Sequence, residues 1–324
     1  METLLPIAEQ LDRAAVELLL DHPIHNRLAI ILVDNAVELM ARQAIAVHLG
    51  IGSDFVGITS KHRKLARSQN IRDRLFVLTF VGEVTKLEAE FILAAHDERN
   101  AAYHEGPAED AYLRELAICY FKFACNYLAR FSKAFYSWSS AFEFTDIGRR
   151  YYDASRDADA LLGKMDRRKL ALLLLEQLPP SGPATLQELL ADDLERDRNG
   201  VVQGLRFLIE NTFPSQPTSF LIGKAQFDWA RDLALSKNGL DQTVFDTPRR
   251  KEAVLFAKRN REKFEPRYRA IPHGNWAQAI RRVRSSSDPY SAMVLFHKTR
   301  KRMAFLRDAI GYSAELLEIK LERD

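Results

Sequence analysis

Apolar residues recur at helical spacing over residues 4–20 and again over 27–49, with His22, Pro23 and His25 between the runs. This pattern predicts a helical hairpin. A third helix is expected over 61–82. Thr85 and Glu88 then stand in the Thr-x-x-Glu order of a capping box, in which hydroxyl and carboxylate each take a free amide at a helix start. The helix opened there should run to Tyr103 or His104 and stop before Gly106-Pro107. From Asp110 to about Trp138, a broad apolar face carries Leu113, Leu116, Tyr120, Phe123, Tyr127, Leu128 and Phe131. Residues 1–140 are therefore expected to form a four- or five-helix bundle.

The polar stretch 144–163 predicts a connecting helix within a linking segment, 141–163. Asp166 to Leu178 reads as a helix ended by Pro179-Pro-Ser-Gly-Pro183, the strongest punctuation in the chain. Thr185 and Glu188 make a second capping box, opening a short helix to about Asp193. Glu195-Arg-Asp-Arg-Asn199 is expected to turn, and Gly200–Glu210 to form another helix. This order over residues 165–211 resembles a winged helix-turn-helix. The resemblance implies that Arg198, Asn199, Gln203 and Arg206 face a nucleic-acid groove; packing or dimerisation through the same unit is the alternative. Residues 220–247 should hold a helix and a loop, completing a module over 164–250. Asp288-Pro289 has the order of an N-cap followed by proline at the first helical position, starting a helix that reaches residue 322.

Composition agrees with an all-α chain. The 14 Gly and 12 Pro in 324 residues make about 8%, against a usual share near 12%, so the turn-formers that many short strands require are scarce. Cys119 and Cys125 are the only cysteines, wrongly spaced for a redox pair and too few for a metal site. With no apolar run of roughly 18 residues and an acidic start at Glu2, Glu9, Asp12 and Glu17, a cytoplasmic protein outside any membrane is expected.

The net charge of +3 conceals an asymmetry: residues 251–324 hold 17 Lys and Arg against 9 Asp and Glu, and the remaining chain 30 against 35. The C-terminal quarter therefore reads as a basic helical region. Its clusters Arg281, Arg282, Arg284 and Lys298, Arg300, Lys301, Arg302, interleaved with aromatic residues, suit phosphate and therefore nucleic acid. A solvated charged surface is the bland alternative.

The candidate chemistry lies in Asp97-Glu98-Arg99-Asn100-Ala101-Ala102-Tyr103-His104-Glu105-Gly106. Arg and His are separated by four residues, with Asn directly after the Arg, at the end of a helix in a helical bundle. Here the sequence resembles the HEPN family over residues 1–140. On a regular helix Asn100 and His104 share a face, as do Arg99 and Tyr103. A guanidinium can clamp phosphate in two places, and an imidazole can move a proton near neutral pH. The resemblance implies an endoribonuclease using no metal and no cofactor, in which a ribose 2′-OH attacks the adjacent phosphorus. Arg99, Asn100 and His104 would form the site, shared across a homodimer. It also implies a toxin or phage-defence role under restraint by an antitoxin, a regulatory nucleic acid or the chain's own C-terminal region. The alternative is a non-catalytic nucleic-acid-binding regulator whose bundle dimerises.

Asp34, Glu38 and Arg42 recur one turn apart in a run that is apolar almost all round, and a buried carboxylate needs a partner. Asp34 or Glu38 is expected to orient Arg99 or His104, with a local Glu38–Arg42 ion pair as the alternative; Tyr103 is a further supporting candidate. Arg267 and His273 also form an Arg-His pair, with five residues between them, but Pro266 and Pro272 prevent one continuous helix and make it an RNA-contacting loop. The other histidines, His96 among them, show no metal-ligand spacing. Gly50-Ile-Gly52 lacks the rest of a dinucleotide fingerprint.

Overall fold

The computed structural model describes residues 4–49, 58–104, 111–130, 145–155, 166–212, 216–237 and 264–322, without the side chains of 102–104 and 234–237. The described chain is all helix and loop, with no strand among these residues. Its helices are α1 (Leu5–Leu19), α2 (Pro23–Leu49), α3 (Ser60–Ala66), α4 (Ile71–Phe80), α5 (Lys86–His104), α6 (Leu113–Arg130), α7 (Asp146–Ser155), α8 (Arg167–Leu175), α9 (Leu186–Asn211), α10 (Thr218–Lys237), α11 (His273–Arg284) and α12 (Pro289–Leu321). They form two compact units, Met1–Leu190 with Ser286–Val294, and Ala191–Ser285 with Leu295–Asp324.

In the first unit α2 is central, packed against α1, α4, α5 and α6. That position explains its broad apolar face: Ala29, Ile30, Val33, Ala36, Val37, Met40, Ala41 and Ala44 are all buried. Across α5 and α6, Phe91 meets Tyr120 and Phe123 at 5.6 Å between centroids in edge-on geometry. Tyr290, at the start of α12, closes the aromatic cluster 4.5 Å from Phe91. Full burial of a ring such as Phe91 stabilises by about 1.5–3 kcal/mol. Tyr151 on α7 donates a 2.6 Å hydrogen bond to the buried Asp12 on α1. Leu170, Ala171 and Leu174 bury α8, which packs on α6 and α1. The Pro179–Pro183 loop docks on α6, where the Gly182 amide donates to Glu115 at 2.8 Å. For these reasons the first unit extends to residue 190, well past the bundle end expected at 140.

Local signals place most helix starts. The Thr85 box closes with Thr85 N donating to Glu88 Oε2 at 2.8 Å and Glu88 N donating to Thr85 Oγ1 at 3.2 Å. Asp166 and Asp288 cap α8 and α12. Three expectations are corrected. The helix expected over 61–82 is two, because Asn70 takes an extended backbone and caps α4 through the Arg72 amide. Helix α2 begins at Pro23, four residues earlier than expected, with proline in the first turn where its missing N–H costs nothing.

The third correction removes the helix-turn-helix: α9 runs unbroken through residues 195–199. Polar residues there do not break a helix that continues its apolar stripe through Leu190, Leu194, Val201, Leu205 and Leu208, all buried. In the second unit Gly204 lets α9 approach α12, since a Cβ would lie 2.9 Å from Ile310 Cγ2. Gln226 on α10 pins the 264–272 segment, donating to Tyr268 O at 2.7 Å and accepting from Tyr268 N at 3.0 Å. Helix α11, which the sequence reading passed over, buries Trp276, Ile280 and Val283. The expected ends of helices at Trp138, 163 and 247 lie outside the described residues.

Candidate functional site

Four helices of the first unit converge on Asp34. From α2 come Asp34, Asn35, Glu38 and Arg42; from α4, Arg74; from α6, Tyr120. Helix α5 brings His96, Arg99 and Asn100, which share a face because they stand three and four residues apart. Asp34 is fully buried, and its carboxylate is met on both oxygens. Tyr120 donates to Oδ1 at 2.9 Å, and His96 Nδ1–H donates to Oδ2 at 2.8 Å. Arg99 Nε lies 3.7 Å from the same Oδ2, while its two terminal nitrogens donate to Asn100 Oδ1 at 2.9 Å and Asn35 Oδ1 at 3.3 Å. The guanidinium is thereby oriented by its partners, with its side chain 27% exposed.

Glu38 sits one turn further along α2. Arg42 approaches its Oε2 at 3.3 Å and Arg74 at 3.8 Å; Arg74 is anchored by donating to Ser68 O at 2.9 Å. Both alternatives for the α2 acids are therefore present, Asp34 beside Arg99 and Glu38 paired with Arg42. The charges set the protonation. The hydrogen bond to Asp34 raises the His96 pKa above its ordinary value against the opposing effect of burial. Burial, and then the Asp34 charge, hold Tyr120 well above the ordinary phenol range, so it remains a donor. Burial lowers the Arg74 pKa, aided by Arg42, yet a guanidinium starts so high that it stays charged.

Asp34, Glu38 and His96 offer ligand atoms within 4.8 Å of one another, a donor set able by type to hold a divalent ion. The expectation that no histidine joins acids in this way is corrected; the grouping spans two helices and is invisible to sequence spacing. Three arginines already face the two carboxylates, so the local charge is compensated by the protein itself and opposes a further dication.

His104 ends α5, and its side chain, like that of Tyr103, lies outside the described residues. Of the remaining candidates, all in the second unit, Asn199, Gln203 and Arg206 lie exposed along one face of α9. Arg198 is half-buried, donating to Asn199 Oδ1 at 3.5 Å. Arg281, Arg282 and Arg284 are exposed on α11, with Arg284 bound to Asp192 at 2.6 Å. On α12, Lys298, Lys301 and Arg302 are exposed and Arg300 lies over the Phe296 ring at 5.7 Å. These residues form charged faces of single helices, whereas Arg99 sits in a built constellation. His273 begins α11, so the Arg267–His273 pair does not lie on one helix.

Sequence reasoning missed His96, Asn35, Tyr120 and Arg74. The available signal was His96 itself, three residues before Arg99 and four before Asn100 on one helix. Neither family models, nor curated proteins, nor solved structures gave a match to the chain.

Proposed function

We propose that the protein is a metal-independent endoribonuclease of HEPN type, acting as a homodimer. The observation that carries this reading is the setting of Arg99: a guanidinium oriented by Asn35, Asn100 and Asp34, partly exposed, on the helix that ends at His104. Arg99 would hold the non-bridging oxygens of the scissile phosphate and stabilise the charge that develops there. The His104 imidazole would take the proton of the ribose 2′-OH as its oxygen bonds to phosphorus. The P–O5′ bond then breaks and the departing 5′-oxygen takes a proton from the imidazolium so formed, giving a 2′,3′-cyclic phosphate and a 5′-hydroxyl. A second copy of the motif would come from the partner protomer. Compensation of the two acids by three arginines supports chemistry without a metal. A toxin or defence role under restraint accords with this activity.

The test is RNA cleavage by wild type beside Arg99→Ala and His104→Ala, each expected to slow cleavage by about 100-fold or more. Equal cutting by the variants overturns the proposal. A second reading, a non-catalytic nucleic-acid-binding regulator, draws on the exposed basic faces of α11 and α12. It predicts RNA retained uncut.

A further inference from the structure

The acidic body of the chain contains one strongly basic strip. Residues 58–80 hold six Lys and Arg and a single acid, Asp73. Five of the six, Lys61, Arg63, Lys64, Arg67 and Arg72, are exposed on α3, on α4 and in the link between them. Arg74 alone turns inward, to Glu38. The same strip exposes two large rings one turn apart on α4, Phe76 at 52% and Phe80 at 48%.

These rings are ordered. The His62 ring of α3 stacks on Phe80 with centroids 4.1 Å apart and planes 22° from parallel, and lies 6.0 Å and 24° from Phe76. His62 is itself fixed, because its Nδ1 accepts from the Thr59 amide at 3.2 Å in the capping box that starts α3. Three nearly parallel rings, locked by a helix cap and flanked by exposed cations, have the makings of a stacking surface for bases beside a phosphate-neutralising rim. A protein partner would favour an apolar patch depleted in lysine, which this is not.

We infer that the outer face of α3 and α4 binds single-stranded RNA, with bases stacked on Phe76, Phe80 and His62 and phosphates on the surrounding Lys and Arg. RNA in place of DNA rests on the function proposed above; the stacking surface does not. The inner face of α4 carries Arg74 to the Asp34–Glu38 cluster, so a strand seated on the outer face lies about 10 Å, one helix diameter, from that edge of the site.

The experiment measures anisotropy of a fluorescent oligouridylate of about 12 nucleotides with the full chain carrying Arg99→Ala, beside the matching duplex and the DNA strand. Phe76→Leu/Phe80→Leu keeps the apolar bulk and removes the rings. It should weaken single-strand binding at least about tenfold, whereas Phe76→Tyr/Phe80→Tyr stays within about twofold. Lys61→Gln/Arg63→Gln/Lys64→Gln should flatten the slope of log affinity against log salt by up to about two, at roughly 0.7 per phosphate contact. Preference for duplex, equal loss in the Leu and Tyr variants, or parental RNA affinity in the Leu variant with altered sedimentation mass, the mark of a protein interface, overturns the inference. Binding that obeys these rules while Arg99→Ala still cuts RNA would remove the HEPN-type site centred on Arg99 and leave this surface standing; equal affinity for the DNA strand would remove only the choice of RNA.

Discussion

Replacing Asp34 by Asn keeps the shape of the side chain and removes the charge at the centre of the cluster. Asn can still accept from Tyr120 through Oδ1, but its amide then faces His96 Nδ1 where a carboxylate oxygen accepted at 2.8 Å. Two donors cannot meet, so His96 must present an unprotonated Nδ1, and Arg99 loses its counter-charge at 3.7 Å. A hydrogen bond between charged groups contributes about 1.5–3 kcal/mol, and stripping one partner from a fully buried pair costs about 3–5 kcal/mol. His96 and Arg99 are partly exposed, so the expected loss is about 2–3 kcal/mol. The sign with pH follows from the raised His96 pKa. Below its unfolded value, near 6.5, the protonated pair contributes fully; as pH rises through the higher folded value that contribution disappears. Urea unfolding followed by circular dichroism should show the wild-type advantage widest in mild acid and shrinking toward alkaline pH. An advantage below about 0.5 kcal/mol, within the range of a neutral surface change, or one that grows with pH, would mean that the Asp34 charge does not hold His96 and Arg99.

Gly82 ends α4 with φ of 76°, and Glu83 N bonds back to Leu78 O at 2.9 Å. Gly82→Ala meets no atom within 4 Å, so its cost is the backbone alone, about 1–2 kcal/mol in a thermal or urea melt. Gly200 lies inside α9, also with open space around it; Gly200→Ala should stabilise by about 0.5–1 kcal/mol, whereas a turn at 195–199 would make it neutral or harmful. Arg74→Met should weaken the α2–α4 contact by about 1–3 kcal/mol, leaving Ser68 O without its donor and removing one of the two arginines that face Glu38.

Helix starts were legible in the sequence wherever the cap is local. Thr85, Asp166, Thr185 and Asp288 each satisfy amides two or three residues away, so four letters carry the whole interaction. The break between α3 and α4 was less visible, since it depends on Asn70 taking an extended backbone that leaves no mark on the apolar spacing. The turn expected at Glu195–Asn199 failed for the opposite reason: five polar residues look like a loop, but without proline they continue the helix, half-buried or exposed, between buried Leu194 and Val201. At the site, Asp34 and Glu38 were readable as acids in an apolar helix that need partners. Those partners, His96 and Tyr120, stand 62 and 86 residues away and are joined to them only by the packing of α2 against α5 and α6. The α3–α4 strip was hidden by averaging, because its positive charge is cancelled in any sum over the first 250 residues.

The proposed role of Arg99, in its cradle, is to work on an RNA phosphate without a metal. End-labelled RNA is incubated with the protein in excess EDTA and the new ends identified, beside the same strand carrying 2′-deoxyribose throughout. Cleavage of the RNA alone, leaving 2′,3′-cyclic phosphate and 5′-hydroxyl ends and lost in Arg99→Ala, is the predicted result. Cleavage abolished by EDTA, cleavage of the 2′-deoxy strand, or full activity in Arg99→Ala would contradict it.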